Sequence, residues 1–223
     1  MTNNKARLNL IVDDGGSVEA LQNKIFVSAM NARASYQTTT DIITKLGLQA
    51  GKAFKGNDEL IAFAEQLNKT FAISGTEATG IESTMYNLTQ ALSTGVLRGQ
   101  DLNAVFSNAP QIVQNIADYL NVPIGKIRDM AADGKISAQI VKNAVLKAAD
   151  ETNAKFNKMP MTWNQVFTKM KNIAIITGAS SGIGKEFLLN MPKNIEVDEI
   201  WAIAREKNLL ENLKVETLSL IHI

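Results

Sequence analysis

Residues 90–122 read QALSTGVLRGQDLNAVFSNAPQIVQNIADYLNV, and their punctuation decides how the longer part of the chain folds. An apolar stripe of Ile81, Met85, Leu88 and Leu92 runs into Gly95, where a left-handed helix cap is easiest. Pro110 suits a first helical turn, because its missing N–H is one that a helix start leaves unpaired anyway. Behind it Ile112, Val113, Ile116, Tyr119 and Leu120 recur at three- and four-residue spacing and predict one buried face. Stop, start and stripe are all helical signals.

The same grammar extends from about residue 17 to residue 169. Val18, Leu21, Ile25 and Ala29 share one helix face, and Ile61, Ala64, Leu67 and Phe71 share another. Ser74 and Glu77 form an S-x-x-E pair, which predicts a capping box opening the helix that carries Ile81. A short helix is predicted over residues 123–132, ending at Asp133 and Gly134. Ser137 caps a further one, with Ile136 before it and Val141 inside it placed as a hydrophobic staple. About six or seven amphipathic helices are expected. Residues 1–16 are expected to be disordered or to hold a short strand over residues 8–12.

A different grammar occupies residues 170–223. NIAIITG (172–178) is a short apolar run ending in glycine, which suits a buried parallel strand. GIGKEFLLNM (182–191) follows as a short helix, EIWAIARE (199–206) as a second strand, and KNLLENL (207–213) as a second helical start. Strand, glycine-rich turn, helix, strand is a Rossmann-type βαβ fragment. The fold class read from sequence is therefore mainly α, with a helical domain over 1–169 and a truncated dinucleotide-binding fragment over 170–223.

Composition narrows the chemistry. The chain has 223 residues and a formal net charge of +1, which gives no broad electrostatic case for nucleic acid or an acidic membrane. It has no cysteine, so neither a disulfide framework nor a thiolate metal site is available. One histidine, His222, removes a histidine-built zinc cage or catalytic triad. No apolar run approaches the roughly 18 residues of a membrane helix, and no signal peptide opens the chain. Asp41, Asp101, Asp118 and Asp129 fall on polar helix faces and are expected to be solvated.

The stretch quoted first, followed by IGKIRDMAADGKISAQIVKNAV (124–145) and FNKMPMTWNQVFTKMKN (156–172), resembles the tape measure domain of phage tail tape measure proteins. The ordered pattern of Gln90, Gly95, Leu97, Gly99, Asp101, Leu102, Ala109, Pro110, Gly134 and Thr162 carries the resemblance, which spans about residues 31–169. It implies a non-catalytic structural component that helps determine tail length. It also implies phage tail proteins and tail assembly chaperones as partners, self-association through helices, and a place in the virion tail after assembly in a prokaryotic host cytoplasm. The very long helical region of such proteins is not seen here.

KNIAIITGASSGIGKEF (171–187) resembles the start of a short-chain dehydrogenase/reductase, whose TGxxxGxG motif is matched by Thr177, Gly178, Gly182 and Gly184. In such a turn the first glycine permits the tight exit from the strand, the second lets backbone approach a pyrophosphate, and the third lets the helix pack closely. The resemblance implies cofactor contacts from Thr177, Gly178, Ser180, Ser181, Gly182, Ile183 and Gly184. Arg205 stands where NAD-preferring members usually carry an acidic residue, so it would face the 2′-phosphate of NADP; the alternative is a solvated residue after a strand. The family's Tyr-x-x-x-Lys acid/base pair is absent: Tyr36, Tyr86 and Tyr119 have no lysine four residues on, and all precede the turn. The resemblance covers about 45 residues of a fold needing roughly five times as many. No functional cofactor is expected.

Two unrelated fragments are thus expected in one reading frame, meeting at FTKMKNIAI (167–175), which suits either. The last six residues, LSLIHI, are also what a transposon end attached during sequencing-library preparation encodes; the alternative is a third strand. One rival function remains. ADYLNVPIGKIRDMAADGKIS (117–137) has the outline of a DNA-binding helix-turn-helix, but Asp118, Asp129 and Asp133 offset Lys126, Arg128 and Lys135.

Overall fold

The computed structural model describes residues 18–177, 199–204 and 218–222. Among them the chain is mainly helical: α1 (Val18–Asn31), α2 (Tyr36–Ala50), a short 3-10 turn at Gly51–Ala53, α3 (Asn57–Ser74), α4 (Ala78–Thr94), α5 (Gly99–Asn108), α6 (Pro110–Leu120), α7 (Lys126–Ala132), α8 (Ala138–Lys147), α9 (Ala149–Lys158) and α10 (Trp163–Asn172). Three strands follow, β1 (Ile173–Thr177), β2 (Glu199–Ala204) and β3 (Leu218–His222). Contacts divide the chain into two units, one of residues Met1–Ala32 and Thr38–Pro160, the other of Arg33–Gln37 and Met161–Ile223.

The first unit is built around α3, which packs against α1, α6, α8 and α9. Ile61, Ala64, Leu67 and Phe71 line its buried face as their spacing predicts, with Phe63 fully enclosed beside them. Leu21, Ile25 and Ala29 of α1 are buried in the same way. Phe54 meets the Phe63 ring at a centroid distance of 5.3 Å, in the tilted arrangement aromatic pairs prefer.

Local signals that carry their own hydrogen bonds are realised. Gly95 ends α4 in the left-handed region at φ 89°, its N–H on Ala91 O at 2.9 Å. Pro110 opens α6, with Ile112, Val113 and Ile116 buried; Tyr119 and Leu120 are only half-buried, and Ala117 takes the inner position. The Ser137 hydroxyl accepts the Ile140 N–H at 3.2 Å, and Ile136 and Val141 are both fully enclosed. Around this cap the loops are stitched together, Leu97 N–H donating to Ile136 O and Ala138 N–H to Gly95 O, each at 2.8 Å.

Three expectations are corrected. Ser74 does not open a helix: it is the last residue of α3, and Glu77 makes no side-chain cap for α4. Gly75, at φ 64°, instead closes α3 with its own N–H on Ala72 O and the Thr76 N–H on Phe71 O. That pair of bonds satisfies the terminal carbonyls of α3 and holds Ser74 inside the helix. Thr76 then donates its hydroxyl to Asn108 O, tying the start of α4 to the end of α5. The helices are also more numerous than expected, because α2 and α5 form and three helices, α8, α9 and α10, follow Ser137 where one is expected. Asp101, expected to be solvated, is 5% exposed. Its carboxylate accepts the Arg98 N–H at 3.3 Å, serving a donor that the start of α5 leaves unpaired.

In the second unit α10 carries a reciprocal cap: Gln165 N–H donates to Thr162 Oγ1 and Thr162 N–H to Gln165 Oε1, both at 3.2 Å. β1 and β2 occupy the two apolar runs, and residues 218–222 form the third strand. The three are parallel in the order β1-β2-β3, with Ile173 opposite Glu199 and Ile200 opposite Leu218.

Candidate functional site

The glycine-rich turn singled out by sequence lies beyond the last residue of β1. Thr177 ends that strand, with Ile203 of β2 as its register partner. Gly178, Ser180, Ser181, Gly182, Ile183, Gly184 and Arg205 lie outside the described residues, as do residues 1–17 and the two helical stretches expected at 182–191 and 207–213.

The polar groups that the fold does gather lie on the surface where α3 meets α8 and α9. Lys142 of α8 is 2% exposed, and its Nζ donates to Glu59 Oε2 of α3 at 2.9 Å. The same carboxylate oxygen accepts the Lys55 N–H at 2.7 Å. Burial by itself would raise the Glu59 carboxyl pKa. The Lys55 N–H and the Lys142 ammonium outweigh that and hold it below its usual 4.5. Farther along α3, Lys69 donates to Glu65 Oε1 at 2.6 Å and to Asn153 Oδ1 of α9 at 2.7 Å. Gln66 Nε2 reaches the same Asn153 oxygen at 3.4 Å, and Lys69 Nζ stands 5.9 Å from the Phe156 ring centre.

Neither lysine is singled out by reading the sequence alone. A signal existed for Lys142, which lies four residues after Ala138 and three before Val145, inside an otherwise apolar stripe. A charged residue there must be buried with a partner or turned outward. Lys142 pairs with one carboxylate, and Lys69 with one carboxylate and one amide. The arrangement fastens helices together. Among the described residues no group of three or more His, Cys, Asp or Glu side chains could hold a metal ion.

Two cations of the segment with a helix-turn-helix outline, Arg128 and Lys135, have partners within the chain. Arg128 lies over the Phe106 ring with its guanidinium carbon 4.7 Å from the centre, and Lys135 pairs with Asp133 at 2.7 Å. The Asp133 carboxylate raises the pKa of the Lys135 ammonium above the usual 10.5. α7, in the reading position, has only seven residues, with Ile127 and Ala131 turned inward. In the second unit, among the described residues, large exposed apolar side chains are found on and just before α10: Met161, Trp163 at 78% exposure, and Phe167, with the Trp163 and Phe167 rings 6.5 Å apart. No helix among the described residues is long and apolar enough to cross a membrane.

Comparison with known proteins gives one result. The family model described as tape measure protein matches residues 1–178, four-fifths of the chain. The match includes the whole of the stretch quoted first and continues through β1. No curated protein and no solved structure matches the chain. A mainly helical chain whose buried charges serve as helix ties, matched over most of its length by that model, belongs to the tape measure protein family, the structural components of phage tails that determine tail length.

Proposed function

We propose that the chain acts during tail assembly as a packed helical module of the tape measure, contacting tail proteins and tail assembly chaperones and associating with further copies through its helices. Assembly takes place in the cytoplasm of a prokaryotic host, and the product resides in the virion tail. The family match over residues 1–178 carries this reading. The exposed Trp163 and Phe167 on α10 support the association through helices, since large apolar side chains left in water favour a protein partner. The test is a nonsense codon early in the reading frame of the phage that carries it, complemented from a plasmid. Electron micrographs should show tailless heads or tails of aberrant length without complementation. Tails of normal length in the nonsense mutant would refute the proposal.

A second reading attaches to residues 170–223, with the boundary from the helical domain at 169/170. These residues would be a truncated short-chain dehydrogenase fragment that kept the NADP-type turn, Thr177 to Gly184 with Arg205, and lost the catalytic half. The parallel order β1-β2-β3, with the glycines directly after β1, favours it. Titration with NADP followed by calorimetry tests it. Heat that saturates, and that is lost in Gly182→Val, supports the reading, and its absence removes it.

A further inference from the structure

Helices α8 and α9 are separated by the single residue Ala148, at φ −78° and ψ 5°. The helical ladder closes with the Ala148 N–H on Ala144 O at 3.1 Å and reopens with the Thr152 N–H on Ala148 O at 2.8 Å. Sharp breaks in helices normally come from proline, from glycine or serine, from a π-bulge, or from an inserted side chain or water. Residues 145–151 read VLKAADE, with neither glycine nor proline and with leucine, lysine and alanine at the junction. These are among the strongest helix formers. Local sequence therefore favours one continuous helix over residues 138–158, and the break is imposed by what α9 docks against.

α9 docks mainly on α3. Thr152 and Phe156 are the buried residues of α9. Lys155 Nζ donates to Gln111 Oε1 of α6 at 3.2 Å, and Asn153 receives Lys69 and Gln66 of α3 on its side-chain oxygen. The Asn153 tie is incomplete, because the buried Gln66 Oε1 finds no donor in this arrangement. A buried acceptor without a partner weakens the state that contains it. Two opposed preferences, local helix against a tertiary contact that leaves a buried acceptor unpaired, are the conditions for two populated states.

We propose that Ala148 is a hinge at which α9 swings off α3 and continues α8 as a single helix, with the Lys69–Asn153–Gln66 cluster as the clasp of the bent form. Opening frees Gln66 and Lys69 to water and exposes the Phe156 site on α3 to another helix. It also converts two short helices into one rod of 21 residues, about 31 Å long. The proposal stands on the geometry of the first unit and does not depend on which tail partner the chain meets.

Because the chain contains no cysteine, two spin labels can be placed at the exposed positions Gln139 and Asn157 of the full-length protein. In the straight form their Cα atoms lie about 27 Å apart, farther than in the bent form. Pulsed electron resonance distances should show a minor population near that value. Asn153→Ala should enlarge its ratio to the bent form about ten-fold, the weight of one charge-assisted hydrogen bond. Lys69→Met, which opens the clasp from the α3 side, should shift it the same way. Adding Ala148→Gly to Asn153→Ala should cut the straight form about five-fold, since glycine disfavours a helix interior. A single short distance in every folded variant overturns the proposal, and so does a long-distance population indifferent to Ala148→Gly.

Discussion

Removing either side of the Lys142–Glu59 pair should cost different amounts, and the difference follows from exposure. Lys142 is 2% exposed on its side chain and Glu59 21%. Glu59→Ala leaves an ammonium enclosed without its carboxylate, a change that typically costs 3–5 kcal/mol; the opening on the Glu59 side lets water in, so about 3 kcal/mol is expected. Lys142→Met keeps the aliphatic stem in place and leaves a carboxylate that still has the Lys55 N–H and partial access to water. Its cost is about 1 kcal/mol. The double variant should lose less than the two singles together, with a coupling of about 2 kcal/mol. Urea unfolding at pH 7, followed by far-UV circular dichroism, reads all three. In melting temperature the singles correspond to roughly 6–12 °C and 2–4 °C for a domain of this size. The same pair sets an acid limit. The folded pKa of Glu59 lies below 4.5, so its contribution is complete above that value and is lost as pH falls through the lower, folded value. Wild type should therefore lose more stability below about pH 4.5 than Lys142→Met does. Equal costs for the two singles, or strict additivity in the double, would refute the reasoning.

Three further outcomes follow from single sites. Ser137→Ala removes the acceptor for the Ile140 N–H and should lower stability by about 1 kcal/mol, seen as a shift in urea midpoint at constant slope. Gly95→Ala should cost about 1–2 kcal/mol although no atom lies within 4 Å of the added carbon, because the residue sits at φ 89°; an unchanged midpoint would mean the cap is not left-handed. Trp163→Ala should stay within about 0.5 kcal/mol of wild type, since the ring is 78% exposed, while the protein loses a tryptophan emission that acrylamide quenches readily.

What the sequence disclosed and what it hid differ in the range of the interactions. Gly95, Pro110 and Ser137 act on backbone groups within four residues, so their spacing alone places three helix ends. The helix α2 escaped because three of its seven buried residues are threonine: Thr39, Thr40 and Thr44 are buried with Ile42, Ile43, Leu46 and Ala50. Counting apolar residues sees only the second set. Thr39 is usable inside because Asn68 of α3 donates to its hydroxyl at 3.1 Å, a partner 29 residues away that no local pattern reveals. Ser74 failed for the opposite reason, since two competing local signals overlapped. The glycine at position 75 closes α3 with two backbone bonds that hold Ser74 inside that helix, away from the cap position a box would need. Lys142 and Lys69 are buried charges whose partners Glu59 and Asn153 are placed by tertiary packing, whereas buried Asp101 answers the Arg98 N–H three residues before it.

The most motif-like stretch of the chain, TGASSGIG, carries less functional weight than the unremarkable helices before it, and physics explains the inversion. A phosphate turn or a catalytic pair works by convergence: a few groups must meet at one point, so a few fixed spacings in sequence announce them. Determining a length makes no such demand, because it depends on how far a chain extends and on what its helices pack against. Its sequence trace is correspondingly diffuse, an ordered series of caps, stripes and breaks over more than a hundred residues. The buried charges fit that logic, since Lys142 and Lys69 join helices through single directional contacts that fix register but release in one step when a partner is withdrawn. An apolar seam of the same area would hold α9 more firmly and more permanently. A break at Ala148 held by the docking of α9, Thr152 and Phe156 included, rather than by a glycine or proline can therefore respond to assembly when that docking is exchanged.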